Sequence, residues 1–135
     1  MDGETLGIYL SLTTSGVISE GAAVEYAAAA DGTITETTAA TTPFVGVVPN
    51  GTATADRARV CALGICRALT QAAFVKATTH MLMGFANGRL GVHAVGVGNL
   101  LVGVWLPDDD DEVATIGAAD QFARVLITGA GLGTT

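Results

Sequence analysis

Pro43–Val48 reads "PFVGVV", and Leu100–Trp105 reads "LLVGVW". Each is a short apolar run with one glycine between two valines, and runs of this length rich in β-branched residues read as strands. The likeness extends on both sides of the pair. Upstream, Asp31-Gly32 in "AADGTI" is matched by Asn87-Gly88 in "FANGRL". Downstream, Arg59-Val60 in "ARVCALG" is matched by Arg124-Val125 in "ARVLITG". The offsets are 56 for the Asx-Gly pairs, 57 for the VGV runs and 65 for the Arg-Val pairs. The order is kept, and the extra length falls mainly in the loop after the second VGV run, where a surface connection absorbs it most easily.

Each copy reads as strand, Asx-Gly turn, strand, apolar strand, loop, strand. Asp-Gly and Asn-Gly are strong hairpin signals because a two-residue turn needs positive φ at both centres, and Asn50-Gly51 is a third such turn. "AAVEYAAAA" has helical propensity, but its partner "THMLMGFA" carries a glycine and neither holds a 3.6-residue period, so strands are expected. The fold class expected is all-β: a small β-barrel or β-sandwich built from two pseudo-repeats, with an N-terminal extra strand. Residues 1–13 form that N-terminal strand or arm, with "TLGIYLSLT" outside the duplicated part. Residues 14–135 form a single β domain, its repeats at about 14–70 and 71–135. "TQAAFVKAT" between them is the candidate linker and could make one helical turn, and the terminal "GAGLGTT" is expected to fray. The four VGV valines, Val45, Val47, Val102 and Val104, are expected to point inward.

Composition supports strands and turns. Half of the 135 residues are hydrophobic but only 5% are aromatic, and 18 are glycine. A chain of this length can bury roughly two thirds of its unfolded surface in one core. Thirteen acids oppose six bases, and the bases (Arg57, Arg59, Arg67, Lys76, Arg89, Arg124) are spread singly along the sequence. Nucleic-acid binding calls for a clustered basic footprint, so no nucleic-acid partner is expected. "MDGETLGIYL" has no basic n-region, so no secretory leader is expected. "LGVHAVGVGNLLVGVWLP" (Leu90–Pro107) has the length of a membrane span, but His93, Asn99 and repeated glycines favour a β reading and no membrane partner.

The raw material of catalysis is sparse, and neither an enzyme nor a cofactor is expected. His80 and His93 lie in apolar β-like segments outside any HExxH or Cys/His cluster, leaving zinc without a written site. "GVGNLLVG" breaks the GxGxxG spacing, and no GK[ST] follows a glycine loop. Cys61 and Cys66, if on one regular strand, fall on opposite faces with Cα atoms ~16 Å apart, too far to bridge, and are expected as free thiols. Asp108, Asp109, Asp110, Asp111 and Glu112 form the one conspicuous charged run. They lack the EF-hand alternation for Ca²⁺ and read as a solvated or partner-contacting acidic loop. Asn50-Gly51-Thr52 fits a glycosylation acceptor, which matters only outside the cytoplasm.

With the copies aligned, "AADGTI", "PFVGVV", "ARVCALG" and then "FANGRL", "LLVGVW", "ARVLITG", the chain resembles the capsid decoration proteins of tailed bacteriophages, also called head-stabilising or cement proteins. Its acidic insertion and Thr-rich stretch depart from that pattern. The resemblance implies a virion protein made in the host bacterial cytoplasm. It would sit on the outer capsid surface, commonly as a homotrimer, and tie neighbouring major capsid subunits together. Thr5, Leu6, Gly7, Ile8, Tyr9 and Leu10 are the candidate contact with capsid or neighbouring chain, through edge pairing of the N-terminal strand. The other function class open to this sequence is an acidic β-domain of a secreted or surface-attached sugar-binding or adhesive assembly.

Overall fold

A computed structural model describes residues 6–27, 32–39, 44–52, 57–71, 74–75, 81–94, 99–106, 115–116 and 122–132. The apolar and Thr-rich runs form strands: β1 (Leu6–Thr14), β2 (Ala22–Tyr26), β3 (Thr33–Glu36), β4 (Phe44–Val48) and β5 (Arg57–Leu69). They continue with β6 (Phe74–Val75), β7 (Met81–Phe85), β8 (Arg89–Val92), β9 (Leu100–Trp105), β10 (Thr115–Ile116) and β11 (Phe122–Leu132). Nine of them make one sheet in the order β1-β3-β2-β4-β5-β11-β9-β7-β8, and β6 pairs with β10 separately.

The sheet closes on itself. β1 pairs antiparallel with β5 over Leu6–Thr13 and parallel with β3 at Thr13–Thr14, so β1, β3, β2, β4 and β5 form a five-stranded barrel. Closure removes the two edges that an open five-stranded sheet would leave unpaired. The fold is therefore all-β with a barrel at its centre.

The second half repeats the first in register. Val24 faces Gly46, and Leu82 faces Gly103; Ala23 faces Val47, and Met81 faces Val104. Val47 faces Cys61, as Val104 faces Leu126. The duplication also takes in β1. The β1–β5 pairs Tyr9↔Cys61 and Leu10↔Val60 recur as Ile65↔Leu126 and Cys66↔Val125 between β5 and β11. The parallel contact Thr14↔Ile34 recurs as Thr70↔Leu90, and Ser15 N–H to Ile34 C=O (2.9 Å) recurs as Gln71 N–H to Leu90 C=O (2.8 Å). The C-terminal half of β5 thus plays in the second ring the part that β1 plays in the first. Gly64 and Ile65 pair with β1 and β11 at once, which puts those two strands on opposite edges of β5. One long strand serves both rings.

Two clusters make the core. The smaller one fills the first barrel with Ile18, Ala22, Val24, Ile34, Val48, Ala58 and Val60. The larger one joins residues of the second ring, such as Leu82, Leu90, Val102, Trp105 and Val125, to Ala23, Phe44, Val47 and Cys61 of the first. β2 and β4 therefore bury both faces, which explains why "AAV" is a continuous run of small apolar residues where a one-sided strand would alternate. The VGV glycines fit the same picture. A Cβ on Gly46 would lie 2.4 Å from the Cys61 carbonyl oxygen, and one on Gly103 would lie 2.4 Å from that of Leu126. At both equivalent places a neighbouring backbone occupies the side chain's volume.

The fold differs from the sequence reading at several places. Val47 and Val102 are buried, whereas Val45 and Val104 are only half-buried. Val45 is skipped between the pairs Val24↔Gly46 and Glu25↔Phe44, so a bulge interrupts the alternation there. In "TQAAFVKAT", Phe74–Val75 is a strand paired with Thr115–Ile116 of the acidic insertion, so those two residues are extended and not helical. The tail keeps strand character to Leu132 because Gly131 and Leu132 pair with Leu101 and Leu100. The apolar stretch at Leu90–Pro107 holds the end of β8 and all of β9; among the described residues no helix is long and apolar enough to cross a membrane.

Candidate functional surface

Of the candidate contact residues, Thr5 lies outside the described residues. Leu6, Gly7, Ile8, Tyr9 and Leu10 begin β1, which forms part of the barrel wall. Ile8 is 57% exposed and Leu10 40%, and Leu63, paired with Ile8 across the ladder, is 43% exposed. Leu10 pairs with Val60 of the smaller cluster, so these three exposed apolar side chains lie on that cluster's side of β1 and β5. Tyr9 turns the other way, packing against the larger core cluster. On its side away from β5, β1 pairs with β3 only at Thr13 and Thr14, so among the described residues Leu6–Leu12 have no ladder partner on that edge. An apolar strand with one open edge can pair with another chain.

The acidic run Asp108–Glu112 lies outside the described residues, as does His80. Two other acids lie on strands of the first barrel. Glu25, buried on β2, accepts the Thr38 N–H at 2.7 Å and the Thr38 hydroxyl. Glu36 on β3 accepts the Ser19 N–H at 2.7 Å. Both carboxylates hold loop backbone that no ladder reaches. Thr37, also buried, donates its hydroxyl to the Phe85 carbonyl (2.7 Å) and accepts the Gly88 N–H (3.2 Å), joining the two rings.

The bases are less scattered than their sequence spacing implies. Arg67 on β5 faces Arg124 on β11, and the Arg67 guanidinium lies 4.8 Å from the centre of the Phe122 ring. Arg59 lies 3.9 Å from the centre of the Tyr9 ring, and Arg57 donates to the Ser11 hydroxyl (3.1 Å) and carbonyl (3.0 Å). Only the paired strands reveal these contacts, since residues far apart in sequence meet across the β5 ladders.

The cysteines depart most from the sequence reading. Both are free thiols and fully buried, but they face the same core cluster and not opposite sides. The reason is a bulge in β5. Ile8 pairs with Leu63 and Tyr9 with Cys61, so Ala62 is skipped; two residues on, Gly64 has φ +126°, a conformation other residues rarely adopt. The strand changes parity between Cys61 and Cys66, so both thiols turn toward that cluster. Hydrogen bonding from Cys66, more than any other influence, draws the Cys61 thiol below its ordinary range against the opposing effect of burial. The Tyr9 hydroxyl abuts them, buried and without a well-aligned hydrogen-bond partner. Burial first, then the neighbouring Cys61, pushes its pKa far above the ordinary tyrosine value. No group of three or more His, Cys, Asp or Glu stands close enough to hold a metal ion among the described residues.

No family model matches the chain, and no curated protein matches it.

Proposed function

We propose that this protein is a capsid decoration protein, bound to the outside of an assembled tailed-phage head and tying neighbouring major capsid subunits together. The observation that carries the reading is the ordered repeat of Asx-Gly turn, VGV strand and ARV strand, in both copies the pattern of that family, joined here to a barrel of matching register. β1 is the proposed contact: it exposes Ile8 and Leu10, and among the described residues its edge away from β5 has no ladder partner over Leu6–Leu12. A homotrimer touching several neighbours makes modest contacts with each. Once one forms the rest are intramolecular, and avidity exceeds a single contact by ~10²–10⁴-fold. Whatever binds only the assembled lattice stabilises it by linkage.

The test is cosedimentation with the heads of the phage that encodes the chain, beside its unassembled capsid subunits. Retention on heads with little binding to subunits is expected, and electron microscopy should find external density at threefold or quasi-threefold positions. Ile8→Glu with Leu10→Glu changes exposed side chains only, so the double variant should fold and lose retention. Equal binding to free subunits, or failure of the wild-type protein to bind heads, overturns the proposal. Full retention by the double variant removes β1 from the contact. Deleting β1 is a poor test, because it opens the barrel.

A further inference from the structure

Cross-strand register builds an apolar row on the second ring, apart from Ile8 and Leu10. Ile65 faces Leu126, Leu126 faces Val104 and Val104 faces Met81, one side chain from each of β5, β11, β9 and β7. Their chain neighbours Cys66, Val125, Trp105 and Leu82 belong to the larger core cluster, so by strand alternation the row lies on the opposite face of the sheet. Met81 is 54% exposed and the other three are half-buried. Single exposed apolar residues are ordinary on a protein surface, whereas a joined patch marks an interaction site.

The duplication indicates what covers such a row. Its equivalent in the first ring is Tyr9–Cys61–Val47–Ala23, joined by the corresponding pairs. There Cys61, Val47 and Ala23 are fully buried, because residues of the second ring pack over them in the larger cluster. One row is thus covered by a ring of this same chain, and its counterpart stands at the surface. Charge favours a like partner too. The next pair along that face is Arg67 opposite Arg124, and like charges so placed repel each other. The chain as a whole carries a net charge of −7, so an uncharged row with a basic edge attracts another copy that acidic surface would repel.

We propose that a second copy of this chain docks on this row, the rows of neighbouring copies packing against each other about a symmetry axis. This self-association needs no phage head, and it supplies the oligomer that avidity on a capsid requires. With Leu63 and Arg67 flanking Ile65, the face measures about 20 Å by 20 Å, or ~400 Å². That is about half of the ~800 Å² each partner buries in a standard-size complex. The contact is therefore weak and reversible in solution, and strong only where copies are held side by side.

Sedimentation of the full wild-type chain over a range of concentrations, without heads, should show reversible association. Leu126→Glu and Leu126→Lys each place a charge near the middle of the row and should raise the dissociation constant at least about tenfold. An equimolar mixture of the two should associate again, because opposite charges then meet across the contact. Met81→Glu, on the most exposed side chain of the row, should weaken association in the same way and decides the matter if the Leu126 variants fail to fold. Val17→Glu, at a 65% exposed residue off the row, should associate like the wild type. A wild-type chain that stays monomeric to about 1 mM, whether or not it binds heads, overturns the proposal. Folded row variants that associate like the wild type, a Glu/Lys mixture that stays monomeric, or an equal loss in Val17→Glu would each overturn it as well.

Discussion

Replacing either VGV glycine by alanine tests the duplicated architecture directly. The new Cβ would stand 2.4 Å from a carbonyl oxygen, that of Cys61 for Gly46→Ala and that of Leu126 for Gly103→Ala. Carbon and oxygen come no closer than ~3.3 Å in favourable contacts between strands, so the backbones must part by about 0.9 Å. At Gly46 the Val60 side chain blocks sideways relief, with its Cγ1 2.7 Å from the new carbon. Overpacking of this kind costs ~1–3 kcal/mol, and each ladder hydrogen bond stretched by the separation adds ~0.5–1.5 kcal/mol. A loss of about 2–4 kcal/mol follows, against a total stability of roughly 5–15 kcal/mol. For a domain of this size it lowers Tm by roughly 8–16 °C. Two other glycines calibrate the result. Gly32 has φ +76° with nothing within 4 Å of a Cβ, so Gly32→Ala carries only the conformational cost, about 1–2 kcal/mol. Gly16 has neither a positive φ nor a neighbour within 4 Å, so Gly16→Ala should be neutral. Thermal and urea unfolding of the four variants should rank Gly16 below Gly32, with Gly46 and Gly103 together at the top. If Gly46→Ala and Gly103→Ala melt with Gly16→Ala, the close approach of backbones at the two equivalent sites is refuted.

Val47→Asp and Val102→Asp should each fail to fold cooperatively, since an unpaired carboxylate at sites 0% and 1% exposed costs several kcal/mol. Val104→Asp, on a half-buried side chain, should remain folded with a lowered urea midpoint. Glu25→Ala removes the acceptor of the Thr38 N–H and hydroxyl and should cost about 1.5–3 kcal/mol by urea unfolding, the range for hydrogen bonds to a charged group. Tyr9 gives a pH signature. Its folded pKa is raised by burial, so its contribution is fully present below the unfolded value of about 10 and is lost as pH rises toward the folded value. Urea midpoints of the wild-type protein should therefore fall above about pH 10, and Tyr9→Phe should flatten that fall. Tyr9→Phe should also be no less stable at neutral pH, because it deletes a buried hydroxyl without a well-aligned partner.

Much of the architecture was legible in short motifs. The repeated VGV runs and Asx-Gly pairs indicate an all-β chain of two like halves, because a turn needing positive φ and a strand buried on both faces leave local marks in residue type. The place of β1 was not legible. "TLGIYLSLT" has no obvious likeness to the end of β5, since pairing constrains backbone positions more tightly than side-chain identity; only ladder partners expose the equivalence. Bulges escaped for a related reason. Alternation predicts faces as long as the period stays at two, and the single skipped residue at Ala62 reverses every assignment beyond it. That reversal turned Cys61 and Cys66 toward the same cluster. The candidate contact on β1 divides in the same way. Sequence picked out the segment as apolar, but the barrel decided that Ile8 and Leu10 are exposed, that Tyr9 packs against the larger cluster, and that among the described residues one edge of the strand has no ladder partner over Leu6–Leu12. Local chemistry determined where strands and turns occur, and the side on which each residue lies was decided by closure of the barrel, which fixes register only once distant strands have paired.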